Sequence, residues 1–301
     1  MKVRLRLIWL VAACLVVPAL ARAQDAGTEK LAGTLKKVAD SGTLVLGYRE
    51  SSIPFSFLNA VQQPVGYSVD LCREIADDVA AELGRESVTI SLLPVTAENR
   101  IDKVSSGAVD LECGSTTNNT QRQKQVAFSP IIFIAGTKLL VPAASAIRSY
   151  RDLSGKTVVV TAGTTNDAAI RKLAEKQRLD IKIVTSPDHA QSMAMVANGK
   201  ADAFATDDVL LAGFVATARD PGAFKVVGEL LSFEPYGLMF RRDDPQFAAV
   251  VQRSFERIAI TGRLAELYTR WFLKRLPDGD RMNMPMSPQL EAIFGALGAP
   301  D

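Results

Sequence analysis

Asp110-Leu-Glu-Cys-Gly-Ser-Thr-Thr-Asn-Asn-Thr-Gln-Arg122 joins the end of an apolar run to a cluster of hydroxyls and one arginine. Val104 to Cys113 reads as a segment ending in a strand, and Ser115, Thr116 and Thr117 as a turn leading into a helix through Gln121. Unpaired N–H groups at a helix start carry the positive end of its dipole and attract anions. The planar Arg122 fork can take a carboxylate with two parallel hydrogen bonds. A small carboxylate is therefore the expected ligand of this stretch. The plainer reading, a capped surface helix with a solvated arginine, remains open at this point.

Outward from that stretch, short apolar runs alternate with helical spacing. Leu44-Val-Leu-Gly47, Val88 to Leu93 and Ala108 to Glu112 read as strands. Tyr67 to Leu83, with Leu71, Ile75, Val79 and Leu83 four apart, and Asn99 to Ser106 read as helices. This is a βαβαβ unit with a parallel sheet. The pattern then restarts. Lys156 to Thr161, Ile181 to Thr185 and Ala201 to Ala205 are strand-like; Asn166 to Gln177 and Ala190 to Asn198 are helical. Between the two units lie two long extended runs, Ile131 to Val141 and Tyr236 to Arg241, the second followed by a helical tail from Pro245 to Leu273. The expected fold is α/β, with two lobes joined by two crossings and a ligand cleft between the carboxyl ends of their strands.

The chain has 301 residues, 48% hydrophobic and 23% charged, which suits one large globular domain or two ordinary ones. Met1-Lys-Val-Arg-Leu-Arg6, the apolar stretch Leu7 to Leu20 and Ala21-Arg22-Ala23 read as an export signal occupying residues 1–23. A lipoprotein box at Val11-Ala-Ala-Cys14 competes with it, although the residues after Cys14 stay apolar where a tether is usually polar. Retention as an anchor is disfavoured because the apolar core is shorter than the roughly 20 residues that span a bilayer. Cleavage after Ala23 removes four basic residues and no acid, turning a formal charge of +2 into −2. No basic stripe suggests nucleic acid. Cys72 and Cys113 remain; in an exported protein they can form a disulfide or stay as two buried thiols. With the lone His189 they make a poor metal set, so no metal and no cofactor are expected.

Polar residues gather at the strand ends. In the first unit these are Tyr48-Arg-Glu-Ser-Ser52, Thr96-Ala-Glu-Asn-Arg100 and Ser115-Thr-Thr117 with Arg122. In the second they are Gly163-Thr-Thr165, Asp188-His189 and Asp207-Asp208. Together with Glu112-Cys-Gly-Ser-Thr-Thr-Asn-Asn119 and Asp207-Asp-x-Leu-Leu-Ala-Gly213, in this order, they resemble a periplasmic solute-binding protein of an ABC importer for polar amino acids, in the glutamate/aspartate-binding branch. The resemblance spans about residues 30 to 290.

The resemblance implies a type II two-lobe fold: residues 24–135 begin lobe 1, 136–236 form lobe 2, and 237–301 return to lobe 1 and end in a tail. It implies L-glutamate or L-aspartate as ligand, a membrane permease as partner, a monomer, and a periplasmic location. Arg122, with Thr117 and Thr165, would hold the α-carboxylate; Asp207, helped by Ser115, the α-ammonium; Arg49 and Arg100, with His189 nearby, the side-chain carboxylate. Three arginines against Asp207 give a pocket charge of about +2, suited to a ligand with an extra negative charge. Relatives that bind basic amino acids tend to carry an acid where this chain has Arg49. Ala97 departs from the Ser that close relatives often carry, and the missing hydrogen bond to a charged group is worth roughly 1.5–3 kcal/mol unless water replaces it. Tyr48 receives no role, and Glu112 reads as structural.

Each residue also has a plainer role. Arg49 and Arg100 could pair on the surface with Glu50, Glu98 or Asp102; Asp207, Asp208, Thr164 and Thr165 could cap helices; His189 could be a satisfied loop residue. Two further functions are weighed. A dehydratase-like enzyme of this fold would need a general acid or base, for which His189 and Glu50 are the candidates. A sensor domain is the other.

Overall fold

The computed structural model describes residues 30–299, so the expected signal segment 1–23 and Cys14 lie outside the described residues. The first unit runs Thr43–Tyr48, Tyr67–Glu82, Thr89–Pro94, Arg100–Ser105 and Leu111–Cys113, strand and helix alternating as the apolar spacing requires. Leu71, Ile75 and Val79 are completely buried on one face of the first long helix, against Leu44 and Leu46 of the strand beneath it. Leu83 falls just past the helix end and is only partly buried. Cys72, on the same helix, is joined by a disulfide to Cys113, with the two Cα atoms 6.1 Å apart.

The second unit repeats this with Thr157–Thr161, Thr165–Gln177, Lys182–Ser186, His189–Ala197, Ala203–Asp207 and Asp208–Thr217. Neither sheet is purely parallel, contrary to the sequence expectation. In the first, Thr43–Tyr48 pairs in parallel with Thr89–Pro94 and Leu111–Cys113, and Met239–Arg241 then inserts antiparallel between Leu111–Cys113 and Val126–Phe128. In the second, Thr137–Pro142 lies antiparallel between Ala203–Asp207 and Phe224–Val227. The reason is topological: each antiparallel strand belongs to a run arriving from the other lobe.

Those runs are the two crossings. Phe133–Ala135 and Glu234–Tyr236 pair antiparallel, with Glu234 opposite Ala135 and Tyr236 opposite Phe133. Both are anchored in the first lobe by a cluster of aromatic rings. Phe133 stacks on Phe272 with ring centres 4.9 Å apart, and Phe55 meets Tyr236 edge-on at 5.1 Å. The expected C-terminal helical tail is broken into Pro245–Ile260, Arg263–Tyr268 and a π turn over Thr269–Leu273, with Gly262 at the break. Trp271 on that turn donates its indole N–H to Asp70 at 2.8 Å, tying the tail to the first long helix. A further helix, Pro288–Leu297, was not anticipated.

Candidate functional site

The stretch that suggested a carboxylate site does end a strand at Cys113, but no helix follows Thr117. Thr117 bridges Tyr236, the Asn118 N–H donates to Pro235 O at 2.7 Å, and Gly237 N–H donates to Thr116 O at 3.0 Å. The segment is thereby held extended against the second crossing. Only one 3-10 turn forms, Arg122–Lys124, and Asn119 Oδ1 accepts the Arg122 N–H at 2.9 Å. Short polar side chains such as Asn119 offer the backbone such local partners and compete with helix. The helix start that does face this segment is Thr165–Gln177, where Thr164 is the cap, accepting from Asp167 N–H at 3.3 Å. Thr165 is its first residue, so its N–H is among those a helix leaves unpaired.

The side chains expected at the strand ends converge. Arg49, Arg100, Ser115, Thr117, Arg122, His189 and Asp207 are all buried. Arg122 Nη1 donates to Thr117 O at 2.9 Å, and Arg100 Nη1 to Ser115 O at 3.3 Å, so one short segment orients two guanidinium groups. Across the lobes, Arg122 Nη2 reaches Gly163 O at 3.5 Å and the Thr117 and Thr165 hydroxyl oxygens lie 3.3 Å apart. Gly163 packs directly on the first lobe: an added Cβ would fall 2.8 Å from the carbonyl of Ala97 and from the Cα of Glu98. Gly213 does the same against Ile53 O, where a Cβ would fall at 2.6 Å. The lobes are closed.

The plainer roles fail at several positions. Arg49 and Arg100 make no ion pair with Glu50, Glu98 or Asp102. Asp207 precedes a helix but does not cap it; its carboxylate accepts instead from Asn166 Nδ2 at 2.8 Å and from the Tyr236 hydroxyl. His189 opens the helix His189–Ala197 rather than lying in a loop, and its Nδ1 is 2.8 Å from Thr161 Oγ1.

Electrostatics set the character of the site. Burial, and then the neighbouring Arg100, push the Arg49 guanidinium down to about 9; the same two causes bring Arg122 to about 10. Burial, then Arg49 and Arg100, hold His189 well below the ordinary histidine value, so its ring is neutral at pH 7. Burial, then Glu234, raise Asp207 to about 7. Arg49 Nη1, Arg100 Nε, Ser52 Oγ and Glu112 Oε1 are buried without a hydrogen-bond partner from the chain. The Tyr67 hydroxyl, within the aromatic core, is the fifth such atom among the described residues, so four of the five belong to the strand ends of the first lobe.

Two acids correct the charge expected from the sequence. Glu112, read there as structural, faces both Arg49 and Arg100 and accepts the Thr116 hydroxyl at 2.9 Å. Glu234 was not anticipated at all; it accepts the hydroxyls of both Thr117 and Thr165 at 2.7 Å. Arg49, Arg100 and Arg122 are therefore balanced by Glu112, Asp207 and Glu234, and the cleft is near neutral rather than +2. What favours an anion here is the position of unpartnered guanidinium donors, not net charge.

Residues 44–274 match the bacterial extracellular solute-binding proteins, family 3. The chain belongs to that family. Among family relatives, the glutamate/aspartate import solute-binding protein of Escherichia coli K12 is 40% identical over 276 residues, covering 91% of both chains. The L-glutamate/L-aspartate-binding protein of Pseudomonas aeruginosa is 39% identical over 289 residues, covering 95% of this chain and 93% of its own. Among solved structures, a P235GK mutant of the Thermotoga maritima protein ArgBP superposes with a TM-score of 0.70 at 27% identity, over 79% of this chain and 98% of that one. The ancestral amino acid-binding protein AncCDT-1, described as a precursor of cyclohexadienyl dehydratase, gives 0.69 at 28% identity, over 79% and 99%. The two-lobe fold expected from the sequence is the fold of this solute-binding family.

Within this family 3 protein, two of the residues that the sequence reading does not reach share one signal. Glu234 and Tyr236 lie two apart on a strand and so point the same way. An acid and a phenol on one face of an otherwise apolar crossing could have been noticed. Asn166 and Thr161 carried no such mark.

Proposed function

We propose that the protein binds L-glutamate or L-aspartate between its lobes and presents the closed complex to the permease of an ABC importer. The observation that carries this reading is the pair Arg49 and Arg100, each about 97–98% buried with a guanidinium donor left unpartnered, beside a neutral His189. A buried guanidinium donor left without a hydrogen-bond partner is costly even where Glu112 offsets its charge, and a carboxylate placed between the two arginines supplies that partner. Relatives near 40% identity that bind glutamate and aspartate support the same ligand class.

In this reading the side-chain carboxylate meets Arg49 and Arg100 with His189, the α-carboxylate meets Arg122 and the N–H groups of Thr117 and Thr165, and the α-ammonium meets Asp207 with Ser115. Lobe 1 comprises 24–135 and 237–301, lobe 2 comprises 136–236, and residues 1–23 are removed on export to the periplasm, where the protein acts as a monomer. Binding rather than catalysis is favoured by the relatives near 40% identity, whose names are those of binding proteins, and by Glu50, one of the two acid–base candidates, being exposed. Calorimetry with a panel of amino acids tests the proposal. Glutamate and aspartate should bind with micromolar or tighter constants, about −8 kcal/mol, and equal affinity for glutamine and glutamate would sink it.

A further inference from the structure

Glu234 is buried at the meeting point of three parts of the chain. Thr117 follows a strand of the first lobe, Thr165 opens a helix of the second, and Glu234 stands on the crossing strand between them. One carboxylate oxygen, Oε2, accepts from both threonine hydroxyls at 2.7 Å. A hydroxyl has one proton to give, so both donors are committed to Glu234 and neither is left for a ligand carboxylate. Hydrogen bonds to an ionised acceptor are about twice as strong as neutral ones. The charged and titratable groups facing Glu234 are Arg122 from the first lobe, Asp207 from the second and Tyr236 from its own strand.

We propose that Glu234 is a positioning residue of the binding cycle, a clasp on the crossing strand that joins the lobes through Thr117 and Thr165 and slows their reopening around the ligand. Parting the lobes separates Thr117 from Thr165 and so breaks at least one of its two bonds. The inference rests on the cleft being the amino acid site, and it adds a residue that touches no ligand but governs how long one stays.

The test is stopped-flow dissociation of L-glutamate from Glu234→Ala, Thr165→Val and the double variant. Glu234→Ala should raise the dissociation rate about tenfold or more while association stays within about threefold, the pattern of an effect on the closed state. The double variant should dissociate no faster than Glu234→Ala within about twofold, because the threonine acts through the carboxylate. A dissociation rate for Glu234→Ala within twofold of the parent, or effects that multiply, overturns the clasp. A residue that merely supports the fold would lower the active fraction and leave the rate of the active molecules alone. If Glu234→Ala does not fold, Thr165→Val is compared in the parent and in Glu234→Gln, where its effect should shrink; an undiminished effect overturns the proposal. Should glutamate not bind the parent, the cleft reading fails, and the clasp is judged separately from spin-label distances between cysteines placed at Ser105 and Lys172. Glu234→Ala should shift that distribution to longer distances, and an unchanged distribution overturns it.

Discussion

The Tyr236 hydroxyl, on the strand that crosses between the lobes, donates to the Asp207 carboxylate at the end of a second-lobe strand. The acid assigned to the ligand ammonium is thus held by the crossing itself. The same strand face carries Glu234, whose charge adds to burial in raising Asp207 to about 7.

That value sets a pH dependence. Above about 7 Asp207 is a carboxylate that can hold an ammonium; below it a proton competes, so affinity should fall as the solution is acidified, by at most about tenfold per pH unit. Calorimetry near pH 7 in buffers of different ionisation enthalpy should register proton release on binding, and Asp207→Asn should remove it. Stability runs the other way. The folded value lies above the ordinary aspartate value of about 3.9, so this group's contribution is full below pH about 4 and is lost as pH rises through about 7. Thermal unfolding without ligand should therefore show less loss over pH 4–7 in Asp207→Asn than in the parent.

Closure depends on a residue with no side chain at position 163. Gly163 has φ of +72°, and a Cβ there would stand 2.8 Å from the Ala97 carbonyl and the Glu98 Cα. Gly163→Ala should cost about 1–2 kcal/mol in backbone conformation alone and should also hold the lobes apart. The expected result is a glutamate affinity at least about tenfold weaker, with folding retained by circular dichroism. Unchanged affinity would mean that this contact is not part of the bound state.

Cys72 and Cys113 close a loop with a sequence separation of 41, entirely within the first lobe. Replacing both by Ala should lower unfolding free energy in urea by about 2–4 kcal/mol, chiefly by freeing the unfolded chain. Ligand affinity measured well below the new midpoint should change little. A large loss of affinity at full folding would show that the bond shapes the Arg49 and Ser115 loops as well.

Much of this architecture is local enough to read from residue spacing. Leu71, Ile75 and Val79 mark a buried helix face because four-residue spacing is a property of the helix itself, and polar residues after apolar runs mark strand ends. The helix expected through Gln121 fails for a non-local reason: Asn118 and Thr116 find backbone partners on the distant crossing at Pro235 and Gly237. Glu112 reads as structural, and Glu234 carries no mark, because a carboxylate in sequence looks solvated until the fold removes its water. For the same reason the expected charge of about +2 left out two acids, Glu112 and Glu234. The mixed sheets were missed because the direction of a returning strand is set by where the crossing enters the sheet.

If Arg49 recognises a negative side chain, calorimetric affinities for glutamate and glutamine in the parent and in Arg49→Ala will separate. Glutamine shares the α-carboxylate and α-ammonium and lacks only the charge. The parent should prefer glutamate by at least about tenfold, and Arg49→Ala should weaken glutamate far more than glutamine, so that the preference shrinks. Equal weakening of both ligands, with folding confirmed by circular dichroism, would contradict it and place Arg49 against groups that every amino acid shares.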